Sequence, residues 1–156
     1  MRKVLVAAAT VVAIVSSYSI TRADGLSVRE AWARASAGPA KIGAAYLVLA
    51  NDSATADRLV SASSPAARVA ELHTTIEEGD VMRMQRLDGV DLAPGALAQF
   101  KPGGMHIMLV DLAAPLKVGT KFPLTLIFAS GAKKIVDVAV LGPGAMGPQS
   151  AMHMHE

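Results

Sequence analysis

The chain has 156 residues, 52% of them hydrophobic, with 15 lysines and arginines against 13 aspartates and glutamates. That length suits one compact domain with its own core and leaves no room for a second. The chain contains no cysteine, which excludes disulfide staples, a lipid-modified cysteine, a blue-copper electron-transfer centre and any thiolate metal site.

In chain order, Arg2 and Lys3 precede the apolar run "VLVAAATVVAIV", and Thr21 and Ala23 stand at the −3 and −1 positions of a signal-peptidase site. Residues 1–23 are therefore expected to be a cleaved leader. The stretch from Val4 to Ile20 matches the shortest membrane spans in length, so a retained anchor is the alternative. Cleavage would remove Arg2, Lys3 and Arg22 and leave twelve basic residues against all 13 acidic ones. The basic balance of the whole chain thus gives no argument for nucleic acid.

From residue 24 to 141 short β-type runs alternate with Gly, Pro, Asn, Asp and Ser, and no amphipathic helix of ordinary length appears. Strands are expected over residues 26–34, 43–51, 57–64, 67–73, 81–87, 96–100, 105–112, 122–128 and 134–141, with a helical turn allowed at 66–70. Nine short strands predict an all-β domain, a Greek-key sandwich or barrel. Turns are legible at "EEGD", "LDGV", "LAPGA" and "KPGG". Residues 142–156, "GPGAMGPQSAMHMHE", carry too much Gly and Pro for a packed element and read as a flexible tail.

The sequence lacks a G-x-S-x-G elbow, an H-E-x-x-H helix and a strand–Gly-rich-loop–helix phosphate cradle. An enzyme is not expected. Histidine and methionine, by contrast, are unevenly placed: His106, His153 and His155 each have a methionine within two residues. Alternation along a strand puts His106 and Met108 on one face and Met105, Ile107 and Leu109 on the other. Met82 and Met84 repeat the pattern. Neutral imidazole and thioether together suit soft Cu(I) better than Zn(II), Mg(II) or Ca(II). Core packing explains a lone histidine or methionine equally well, and for Met82, Met105 and Met146 it is the expected role.

The spacing His73, Met84, His106, Met108 is H-x10-M-x21-H-x-M. With "GAAYLVLAN", "DGVDLAPG", "FKPGGMHIML" and "PLKVGTKFPLTLIF", it resembles the periplasmic copper chaperones called PCuAC over nearly the whole of residues 24–141. The resemblance implies a cupredoxin-like Greek-key β-sandwich in which His73, Met84, His106 and Met108 bind Cu(I) at an exposed edge. It also implies a monomeric periplasmic carrier that works by ligand exchange, with no membrane span once the leader is gone. Its partners would be the copper-containing subunit of cytochrome c oxidase, whose binuclear centre it would help assemble, and a Sco-like assembly protein. Some members carry a Met- and His-rich extension, which "MHMHE" resembles. Met152, His153, Met154 and His155 are therefore expected to form a second site that takes Cu(II), checked by whether a chain ending at Leu141 loses Cu(II) capacity. Two other readings use the same residues: a copper buffer without a dedicated client, and a structural sandwich in which Met and His merely pack.

Overall fold

A computed structural model of the chain describes residues 25–148. The expected leader and the tail residues Met152, His153, Met154 and His155 lie outside the described residues.

Among the described residues ten strands follow one another: β1 (Leu26–Arg34), β2 (Ile42–Asn51), β3 (Asp57–Ser63), β4 (Ala67–Glu78), β5 (Val81–Arg86), β6 (Val90–Leu92), β7 (Leu97–Gln99), β8 (His106–Leu112), β9 (Lys121–Phe128) and β10 (Lys133–Leu141). The main sheet path runs β5-β4-β8-β2-β1-β10-β9-β3-β6, and a further pairing of β3 with β4 closes it on itself. The all-β, cupredoxin-like sandwich is thus present in barrel-like form. Its neighbours are mostly antiparallel; β1 and β10 run parallel.

Alternation supplies the core. Leu47 and Leu49 from β2, Leu59 from β3, Ile107 and Leu109 from β8, Leu124, Leu126 and Phe128 from β9, and Val138 and Val140 from β10 are all essentially removed from water. Each such side chain contributes about 1.5–3 kcal/mol by burial, and the absence of disulfides leaves these contacts to hold the fold.

Three differences from the sequence reading have local causes. The strand expected to end at His73 continues to Glu78, because Gly79, with φ 64°, turns the chain through Gly79–Asp80 directly into β5. The helical turn allowed at 66–70 does not form: Ala67 and Val69 pair with Leu112 and Val110, and one isolated turn cannot outweigh a ladder. A tenth strand, Val90–Leu92, lies within a stretch read as turns, pairing there with β3 and burying Val90 and Leu92.

One irregularity decides which side chains reach the outer face of β1. Between Arg29 and Trp32 the β1–β2 register gains a residue on β1, and Glu30 takes a positive φ of 51°. This bulge reverses the alternation. Leu26 and Val28 face the core before it and Ala31 and Ala33 after it, so Trp32 and Arg34 emerge on the opposite face. There Trp32 lies against Tyr46, with ring centroids 4.6 Å apart.

Candidate metal site

The same alternation puts the four predicted residues on the face away from the core. On β4, Leu72 points inward and His73 outward; on β8, Ile107 and Leu109 point inward and His106 and Met108 outward. Antiparallel register sets His73 directly opposite His106 and Glu71 directly opposite Met108. On the edge strand, Met84 pairs with Thr75, two residues along from His73 on its face. Three adjacent strands therefore put all four on one face, with the two imidazole centroids 5.8 Å apart.

Hydrogen bonds decide which ring nitrogens carry protons. His73 Nε2 lies 2.9 Å from Glu71 Oε2. A carboxylate only accepts, so in the neutral ring Nε2 donates and Nδ1 holds the lone pair. That Nδ1 is buried and has no hydrogen-bond partner among the described residues, a situation that costs about 1–3 kcal/mol unless something else takes the lone pair. His106 Nδ1 lies 3.1 Å from the Gly104 carbonyl, so it is the donor and Nε2 holds the lone pair. The same carbonyl accepts the Thr75 N–H at 3.2 Å. The "KPGG" corner, with Gly103 at φ 81°, thus ties β8 to β4 at the site.

Electrostatics reinforce this. The hydrogen bond from His73, then the charge of Arg86, hold the Glu71 carboxyl below the ordinary carboxylate range. Burial, and secondarily the neighbouring His73, push His106 below the usual histidine value, although its bond to Gly104 opposes the shift. The unfolded chain protonates this histidine near the ordinary value of about 6.5 while the folded chain still resists, so stability falls as pH drops through that value and levels off below the folded pKa. Urea midpoints measured from about pH 7.5 to about 5.5 should show this decline, and His106→Gln should flatten it.

Met84, His106 and Met108 line one cavity of about 350 Å³, together with Arg34, Tyr46 and the 35–40 segment. His73 does not line it but stands across from His106. The expectation of an exposed site needs correction: Met84 is 62% exposed, whereas His106 is only 7% exposed and Met108 is half-buried. The reason is topological, since β8 is an interior strand whereas β5, which carries Met84, ends the sheet path. Among the other methionines, Met105 packs against the core as expected. Met82 and Met146 do not, being 60% and 64% exposed. Arg34 bonds the Ala145 carbonyl at 2.8 Å and the Met146 sulfur at 3.0 Å, which ties the beginning of the tail beside this cavity. Among the described residues no group of three or more His, Cys, Asp or Glu converges to hold a metal.

The sequence reading missed Glu71, Gly104 and Arg34. Glu71 was findable, because alternation from His73 puts residue 71 on the same face. The Arg34 position was not, because the β1 bulge that turns it there has no signature in "REAWAR".

The cupredoxin-like sandwich is the fold of PCuAC domains. The copper-bound PCuAC domain from PmoF2 has the same fold, with a TM-score of 0.66 and 26% identity over 76% of this chain and 94% of that one. The Cu(I) form of DR1885 from Deinococcus radiodurans matches with a TM-score of 0.60 and 29% identity over 73% of this chain and 76% of that one. "Putative lipoprotein Lxx21020" of Leifsonia xyli subsp. xyli is 35% identical over 120 residues, 76% of this chain and 71% of that one. The family described as "Putative lipoprotein LpqE-like" matches residues 26–140, and the chain belongs to it.

Proposed function

We propose that this protein is an exported, periplasmic carrier of Cu(I), with His73, Met84, His106 and Met108 as its ligands. The observation that carries the reading is the facing pair of His73 and His106, each with one nitrogen committed to a neighbour and the other left as a lone pair, beside Met108 and Met84. Copper-bound relatives of the same fold support it.

The donor set accounts for both holding and release. Two thioethers and two neutral imidazoles satisfy soft, monovalent copper without any ligand having to lose a proton. Burial of His106 and partial burial of Met108 keep water from competing. Met84 sits on the sheet's edge strand, so an incoming donor from a partner reaches the metal there first. Exchange then proceeds inward, one bond replacing another, with His106 the last to let go. No covalent chemistry on the protein is required.

The destination we propose is the binuclear copper centre of cytochrome c oxidase, with a Sco-like protein as co-worker. Mixing the Cu(I)-loaded chain with the reduced apo copper domain of the oxidase subunit, with and without a Sco-like protein, tests this. After separation, copper should be found on the oxidase domain in at least one mixture. Copper that stays on this chain at equimolar client in both would point to a buffer instead.

A further inference from the structure

The ring of His73 is held by a group outside the expected ligand set. Glu71 and His73 are two residues apart on β4, so both project onto the site face, and the carboxylate spans two donors. Its Oε2 meets His73 Nε2 at 2.9 Å and its Oε1 meets Arg86 Nη1 at 3.4 Å. Arg86 is the residue on β5 directly opposite His73. On the other side, His73 Nδ1 is buried without a partner among the described residues, while His106 is held through the opposite nitrogen, Nδ1, by the Gly104 carbonyl.

We propose that Glu71 is a positioning residue that fixes His73 as the Nε2–H tautomer, so that His73 offers Nδ1 to the metal whereas His106 offers Nε2. The inference rests on the copper-carrier reading above and deepens it. The physical case is that an imidazole ligand must present a lone pair from a fixed direction, and a carboxylate on the remote N–H sets both the tautomer and the ring orientation. The two histidines come from neighbouring strands with rings 5.8 Å apart. Holding one through Nε2–H and the other through Nδ1–H gives them different donor atoms. The carboxylate also adds a negative charge next to a site that gains a positive one, on a face where Arg34 and Arg86 are already cationic. The Glu71–Arg86 contact keeps the carboxylate in place, and the guanidinium, which donates but does not accept, takes an acceptor from it.

Nitrogen-15 NMR of the imidazoles tests this before any copper is added, so its failure is separable from failure of the carrier reading. In the apo protein His73 should appear as the Nε2–H tautomer and His106 as the Nδ1–H tautomer. On adding Cu(I), the shift should fall on Nδ1 of His73 and Nε2 of His106. Glu71→Gln keeps the shape but has one acceptor to divide between His73 and Arg86. It should leave His73 as a mixture of tautomers and weaken Cu(I) about 10–100-fold, the range for outer-shell partners of metal ligands. Adding Arg86→Ala to that variant frees the amide oxygen for His73 and should restore the tautomer, an effect that a merely structural role would not produce. An apo His73 in the Nδ1–H form, a copper-induced shift on its Nε2, or a Glu71→Gln variant with unchanged tautomer and affinity would each overturn the proposal. Imidazoles that ignore Cu(I) altogether would overturn the carrier reading and this proposal with it.

Discussion

His106→Ala should weaken Cu(I) binding by more than about 100-fold, the upper end of the range for residues that only support a metal ligand; 100-fold corresponds to about 2.8 kcal/mol. His106 is the most deeply set of the four, at 7% exposure, and the Gly104 carbonyl already fixes its ring. Water is a poor replacement for the lost nitrogen, because its oxygen is a hard donor and Cu(I) is soft. Met108→Leu should follow in the same direction while keeping the side-chain volume, which makes it the cleaner variant for stability. Met84→Leu should cost least, since Met84 is 62% exposed and its place can be taken by an outside donor. A competition titration against a Cu(I) chelator reads all three. Unchanged affinity in both the His106 and Met108 variants contradicts the site.

The largest effect on stability is expected from Leu109→Ala. Leu109 has no exposure to solvent, it lies on the strand between β4 and β2, and its register partners are Ala70 and Gly43. Those neighbours are small and cannot swing in to fill the space. Truncating such a leucine costs about 2–5 kcal/mol, against a total stability of about 5–15 kcal/mol for a typical domain. At this size that lowers the melting temperature by roughly 10–20 °C. The same change should also impair the site, because Leu109 is the inward neighbour of Met108 on β8. A loss below about 1 kcal/mol would mean that the interior collapses more freely than its packing indicates.

What the sequence made legible divides along physical lines. Period-two alternation is local, so the assignment of Ile107 and Leu109 to the core and of His106 and Met108 to the outer face follows from residue order alone. Tight turns with glycine are local as well, and the hairpin at Gly79 is visible in "EEGD". Burial of His106 is not local. It depends on β8 lying inside the sheet and on the 35–40 segment lining the cavity from the far side. An outward direction on a strand says nothing about what comes to cover it, which is why the expected solvent-facing histidine is buried. The β1 bulge that delivers Trp32 and Arg34 to this face depends on one added residue against β2, a feature of pairing rather than of composition. Short β6 falls between the two cases: "GVDL" has the alternation of a strand, but only its pairing with β3 makes it one.

Copper carriage by these four residues requires the metal to enter between β5, β4 and β8, and methionine methyl NMR during a Cu(I) titration tests that most directly. The chain has eight methionines, and each methyl reports its own sulfur. The first equivalent of Cu(I) should shift the methyls of Met84 and Met108 together and leave Met105, packed against the core, in place. A first equivalent that moves only Met152 and Met154, with Met84 and Met108 unaltered, would contradict copper carriage at this site.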